Sequence, residues 1–172
     1  MDIKNTTNEE KEKLALNPNT SLDILRELAK YGNWAVRCEV AKHPNTPDDV
    51  LRELAKDKYW QVKSKLALNP NTPEDVLIQL VKDDTWDVAA KVARHPNISV
   101  DLLRLLAKNA DFMVRFYVAQ NKKSSGDVLV EVFAYEKNFK NPNKYIIQAL
   151  YEHSNLPLWT KRIMETLYGE VL

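Results

Sequence analysis

Asn17-Pro18-Asn19-Thr20 returns every 26 residues, as His43-Pro44-Asn45-Thr46, Asn69-Pro70-Asn71-Thr72 and His95-Pro96-Asn97. Four copies without a slip in phase mean a stack of small units, none of which can bury its own apolar face alone. This period constrains the fold more than any other feature of the chain.

One unit shows how the pattern makes helices. Thr46 is positioned as an N-cap, Pro47 as the first helical residue, and Asp48 and Asp49 fall in the first turn. These residues suit the donor-rich, positive end of a helix. Thr72-Pro73-Glu74-Asp75 repeats the device, Thr20 keeps the cap without the proline, and Ser99 takes over where Ile98 replaces threonine. Val50, Leu51, Leu54 and Ala55 then form an apolar stripe at helical spacing. A turn at Asp57-Lys58 leads into a second short helix near Tyr59-Trp60, carrying Val62, Leu66 and Ala67. The next Asn-Pro stops it, because the residue before proline is pushed out of the α region. Trp34, Trp60, Trp86 and Phe112 recur at the same 26-residue period, as do Ala41, Ala67, Ala93 and Ala119. The aromatic column reads as core between units, with the alanines leaving room for the rings.

The run Val36-Arg37-Cys38-Glu39-Val40-Ala41-Lys42-His43-Pro44-Asn45-Thr46-Pro47, repeated from Val62 to Pro73, resembles the leucine-rich repeat variant family. The resemblance covers about residues 14–122. It implies an all-α fold: a right-handed α-α superhelix of two-helix repeats in the armadillo/HEAT-like class, with short helices partly of 3₁₀ form. It implies no catalytic activity. The family prototype also carries a cysteine-clustered iron–sulfur module; this chain has the single cysteine Cys38, so no cluster and no cofactor is expected.

The 172 residues read as a single repeat domain. Residues 7–16 form an N-terminal half-repeat cap, 17–120 the regular repeats, and 121–172 an irregular unit. The loop motif returns at His153-Ser154-Asn155-Leu156-Pro157, 32 residues after Asn121 rather than 26, so six extra residues fall around 136–144. A final helix from about Leu158 to Tyr168 caps the stack.

Apolar residues make up 44% and charged residues 28%, the balance of a folded protein rather than a disordered one. Twenty-five Lys and Arg against 24 Asp and Glu leave a net charge of +1, which argues against a dedicated nucleic-acid binder. The N-terminus shows no signal-peptide core, no apolar run approaches the ~20 residues of a membrane span, and the lone cysteine suits a reducing, cytoplasmic setting.

His43, His95 and His153 share one repeat position with Asn17, Asn69 and Asn121. Two repeats separate each histidine from the next, too far for one metal ion at ligand distances of ~2 Å. They read instead as side chains that satisfy carbonyls at the end of the second helix. Asp57 is placed to reach Arg37 of the preceding unit, and Asp83 to reach Lys63, as rungs of a ladder; Arg115 has no evident acidic partner. The second helices carry seven basic residues (Arg37, Lys42, Lys63, Lys65, Lys91, Arg94, Arg115) against the acidic Glu39, Asp87 and Asp111. In the fourth unit, outward positions become apolar: Met113, Phe116 and Tyr117. That patch is either a partner site or is covered by the C-terminal segment.

The three glycines include no phosphate loop, and no nucleophile–base set stands out. The expected function is therefore a non-enzymatic, monomeric scaffold for protein or peptide partners. Met113, Phe116, Tyr117, Arg115, Lys65, Lys91 and Arg94 are its candidate contact residues. The alternative is a HEAT-like nucleic-acid binder, of DNA-glycosylase type, using the basic face.

Overall fold

A computed structural model describes residues 2–82 and 85–169. Among these residues every regular element is helical. The chain divides into two compact units, Met1–Asn97 and Ile98–Leu172.

In the first unit a 3₁₀ turn (Ile3–Asn5) precedes α1 (Asn8–Leu16). Helices α2 (Leu22–Tyr31), α3 (Trp34–Lys42), α4 (Asp48–Leu54), α5 (Trp60–Leu66), α6 (Glu74–Leu80) and α7 (Trp86–Ala93) follow. The cap at the N-terminus is a full capping box: Thr7 accepts from Glu10 N–H while the Glu10 carboxylate accepts from Thr7 N–H. The second helix of each pair joins one row, in which α1, α3, α5 and α7 pack successively. The first helices α2 and α4 pack on one another beside that row. Leu25, Leu28, Leu51, Leu54, Leu77 and Leu80 from the first helices meet Val36, Val40, Val62, Leu66, Val88 and Val92 from the second, all essentially inaccessible. Burial of each such side chain is worth about 1.5–3 kcal/mol, but only because a neighbouring pair closes over it.

The Asn/His-Pro motif both ends each second helix and joins the units. Its first residue accepts from the N–H three residues on, at 3.0 Å for Thr20 to Asn17, 3.1 Å for Thr46 to His43 and 2.9 Å for Thr72 to Asn69. The intervening proline has no N–H to strand and suits the second place of such a turn. Each of these carbonyls also accepts a side-chain bond from the next unit. His43 Nε2 bonds Asn17 O at 3.0 Å, Asn69 Nδ2 bonds His43 O at 3.0 Å, and His95 Nε2 bonds Asn69 O at 2.8 Å. A second row runs alongside: Asn45, Asn71 and Asn97 donate their side-chain amides to Pro18 O, Pro44 O and Pro70 O. In His43 and His95 the Nδ1 atom accepts from the N–H two residues on, so Nε2 carries the hydrogen that reaches the preceding unit.

The threonines do not cap the helices that follow them, contrary to the sequence-based expectation. Helices α4 and α6 start after Pro47 and Pro73 with no side-chain cap. The hydroxyls of Thr20, Thr46 and Thr72 turn back to Leu14 O, Val40 O and Leu66 O, six residues earlier, at 2.6, 2.5 and 2.7 Å. The preceding helix end has spare carbonyls and lies inside the stack, whereas the next helix start is open to water. Ser21 and Ser99 do act as N-caps, accepting from Ile24 N–H and Leu102 N–H.

The second unit contains α8 (Val100–Leu106), α9 (Phe112–Gln120), α10 (Gly126–Glu136), α11 (Lys144–Glu152) and α12 (Leu158–Tyr168). Here α8 packs on α10, α9 on α11, and α12 closes on α11. Ser124 substitutes for the threonine, donating to Val118 O at 2.6 Å, and His153 Nε2 bonds Asn121 O at 3.0 Å. The six extra residues fall in a lengthened α10 and the loop after it, and the loop motif still finds its partner.

Asn69 is fully buried and donates to both Ala41 O and His43 O. Replacing it with alanine removes both bonds and leaves His43 O only its turn bond from Thr46 N–H; Asn69→Ala is expected to cost about 2–3 kcal/mol in urea unfolding. Asn45→Ala, at an exposed position, is expected to cost under ~1 kcal/mol in the same measurement.

Candidate functional site

The tryptophans do not fill the core. Trp34, Trp60 and Trp86 are each the first residue of a second helix, and they are 45%, 48% and 53% exposed. Phe112, at the same position of α9, is 46% exposed. The reading of this column as buried core is therefore overturned. The physical reason is that a helical side chain leans toward the N-terminus. From the first helical position, that carries the indole past the end of the packed row. The alanine seven residues later, on the same line of the helix, takes the buried place: Ala41, Ala67 and Ala93 are at most 1% exposed.

The surroundings of the first indole are ordered. The Trp34 ring lies against Tyr59, centroids 6.2 Å apart and tilted by 35°. The Arg37 guanidinium sits 5.8 Å from the Tyr59 ring and donates to Gly32 O at 3.0 Å and to both Asp57 oxygens. This is the expected Arg37–Asp57 rung; Asp83, assigned to Lys63, lies outside the described residues. Burial works to raise the Asp57 carboxyl, but the guanidinium and the Tyr59 N–H outweigh it and hold the group below its ordinary value. Hydrogen bonding to Asp57 raises Arg37 in turn. Lys30, Lys56 and Lys82 recur at the same period, four residues before each indole, and all three are exposed.

A second ladder had not been foreseen from the sequence. Arg26 forks onto Asp49 at 3.0 and 3.3 Å, and Arg52 onto Asp75 at 2.7 and 3.3 Å. The first-turn carboxylates thus serve the neighbouring unit as well as their own helix end. The signal was present as arginine and aspartate 23 residues apart, twice in phase.

The candidate contact residues fare unevenly. Arg115 is buried, and its expected lack of an acidic partner is wrong. It pairs with the buried Glu136, donates to Asn109 O and Ala110 O, and lies 4.9 Å from the Tyr135 ring and 5.4 Å from Phe139. Sequence distance hid this partner, because the longer α10 supplies it. Met113, Phe116 and Tyr117 are half-buried on α9, with the last two rings 5.5 Å apart. The patch is thus partly covered rather than open. Lys91 bonds Ser64 and Asp87, each at 2.6 Å, and Lys42 pairs with Glu39 at 2.8 Å. Lys65 is half-buried, while Arg94 is exposed and takes part in bonding of its own. The basic face is thus largely neutralised within the fold. The last helix presents a further apolar stripe, Trp159, Ile163 and Leu167, which are 57%, 43% and 56% exposed.

Both ring nitrogens of each histidine are engaged, and among the described residues no group of three or more His, Cys, Asp or Glu is arranged to hold a metal ion. Among the same residues no helix is long and apolar enough to cross a membrane.

Paired short helices joined by Pro-Asn turns define a helical repeat. The family model described as leucine rich repeat variant matches residues 34–58, which run from the first indole through α4 to the turn before the second. The family resembled by the repeated motif is thus the one whose model this stretch matches. No curated protein and no solved structure matches the chain significantly.

The Asp57 carboxyl is depressed in the folded state, so its contribution to stability is present above the unfolded value near pH 4 and is lost as pH falls through the lower folded one. Thermal melts from pH 6 to pH 2 are expected to show a smaller acid-induced fall for Asp57→Asn than for the unaltered protein. Arg115→Met, which leaves Glu136 buried and unpaired, is expected to cost about 3–5 kcal/mol. Pairing it with Glu136→Gln is expected to recover part of that loss.

Proposed function

We propose that this protein is a non-enzymatic helical-repeat module that binds a protein or peptide, with the indole row Trp34, Trp60 and Trp86 as its contact surface. The observation that carries this reading is the exposure of three large aromatic side chains at one repeat position. Each is the first residue of a helix in the packed row α3, α5 and α7. Half-exposed tryptophan offers a large contact area at little conformational cost, and such residues dominate binding energy where partners meet.

The side chains that perform chemistry elsewhere have other duties here. Histidine rings join units, and aspartates answer arginines of neighbouring helices. On the second helices, the cations Arg37, Lys42 and Lys91 that a nucleic-acid backbone would use are paired internally. We place the protein in a reducing, cytoplasmic compartment as a monomer. Cys38 is a buried free thiol that desolvation pushes above its ordinary value, a state suited to a structural rather than a reactive cysteine.

The test is affinity capture with the unaltered protein and with a Trp34→Ser/Trp60→Ser/Trp86→Ser variant shown by circular dichroism to be folded. Bound polypeptides are quantified by mass spectrometry after nuclease treatment. A discrete set of polypeptides is expected to drop by about 30-fold or more in the variant, since a single central tryptophan contributes about 2 kcal/mol. Equal capture by both proteins, or capture abolished by nuclease, overturns the reading.

A further inference from the structure

We infer that the loop inserted between α10 and α11 docks on the surface of an anionic lipid bilayer, an activity separate from the indole row. Residues 137–151 carry three lysines, Lys137, Lys140 and Lys144, and no carboxylate. All three lysines are exposed, and none makes an ion pair among the described residues. Two rings stand among them: Phe139 is 44% exposed and Tyr145 60%. Phe112 is exposed as well, at the start of α9, which packs on α11. The loop has a fixed shape. Asn138 N–H and Phe139 N–H close turns onto Tyr135 O at 3.2 Å and Glu136 O at 3.0 Å. Glu136 Oε2 accepts from Asn143 N–H at 3.2 Å, and the Asn143 side chain caps α11. Phe139 packs edge-on against Tyr135, with centroids 5.5 Å apart.

The carboxylates on the surrounding elements leave this face positive. Glu136, at the base of the loop, is buried and answered by Arg115. Glu131 pairs with Arg104 and Lys108. Glu152 and Glu165 bond Gln148 and Tyr151, toward the other end of α11. Asp111 caps α9 through the Met113 N–H. Three ammoniums outnumber Asp111 even when Glu170, which lies outside the described residues, is counted with it. Ammoniums interleaved with aromatic rings suit a bilayer surface, a nucleic acid or an acidic peptide, and the arrangement favours the bilayer. The exposed cations of the loop are lysines alone, point charges without the guanidinium fork that grips one phosphate or carboxylate. Phe139 turns one face to the buried Arg115 guanidinium at 5.4 Å, and Tyr145 turns one to the Lys144 ammonium at 5.2 Å, so each ring keeps at most one face for a stacked base. A bilayer asks less of the site: rings that settle at headgroup level and long ammonium side chains that reach the anionic lipids around them.

The test is co-sedimentation of the full chain with vesicles of phosphatidylcholine alone and of phosphatidylcholine and phosphatidylserine mixed at about 2:1. The chain is expected to pellet with the mixed vesicles and to stay in solution with the neutral ones. The Lys137→Ser/Lys140→Ser/Lys144→Ser variant, folded by circular dichroism, is expected to bind about 100-fold more weakly, at about fivefold per lysine. Phe139 packs on Arg115 and Tyr135, so the ring is tested at the more exposed Tyr145. Tyr145→Ser is expected to weaken binding about fivefold, the worth of roughly 40 Å² of apolar surface withdrawn from water. The Trp34→Ser/Trp60→Ser/Trp86→Ser variant is expected to bind vesicles as the unaltered protein does. No binding to the mixed vesicles, equal binding to the neutral ones, or full binding by the lysine variant overturns the inference. So does release from the vesicles by oligodeoxythymidylate or polyglutamate at a charge concentration equal to that of the anionic lipid. Loss of vesicle binding in the tryptophan variant moves the contact to the first unit and overturns it likewise.

Discussion

Every unit depends on what happens to one carbonyl. The proline in Asn/His-Pro-Asn ends a helix while its carbonyls still need partners, in a part of the molecule that water barely reaches. The turn supplies one donor from the main chain, and the side chain of the next unit supplies another, from Asn69 or from His43 or His95. Buried main-chain groups left unpaired are costly, so the spacing of these residues fixes the register between units. The apolar stripes supply more free energy, but they are greasy and forgiving; the amides and imidazoles decide which residues face each other.

This arrangement explains why the surface residues divide so sharply in character. A scaffold that satisfies its own polar groups can expose aromatic side chains without losing order. The Trp34 indole lies against Tyr59, which the Arg37–Asp57 rung holds in turn, and it remains 45% exposed. In the second unit the Arg115–Glu136 pair is instead enclosed, with Tyr135 and Phe139 over it. The same repeat position thus makes a part-buried rung in one unit and a fully buried clamp in the other. The difference comes from the lengthened α10 and its loop.

Much of the fold was legible in the chain because its determinants are local and repeated. Helix stops, apolar stripes and the final helix at Leu158 follow from residue chemistry within a few positions. The side on which a tryptophan projects was not legible by angle alone. Trp60 and Ala67 share a line on α5, yet one is exposed and the other buried. What separates them is axial position relative to the neighbouring helix, which a helical wheel omits. Thr46 was misassigned for a related reason, since both the helix before it and the helix after it offer a partner. Arg115 found its acid across an irregular insertion, where the period gives no guidance. The Arg26–Asp49 rung, by contrast, was periodic and readable, but the capping role of aspartate accounted for it too easily.

The two ladders of the first unit point in opposite directions along the chain. Amides and imidazoles donate backward to the preceding unit, while Arg26 and Arg52 donate forward to the next. Each unit therefore has unlike ends, and two copies fit only head to tail. Asparagine and histidine also serve interchangeably at the joining position, since either reaches the same carbonyl. Such an array can gain or lose whole units by duplication or excision of 26 residues without inventing a new joint. Its length is a heritable variable, and each unit gained or lost carries its own share of the stability.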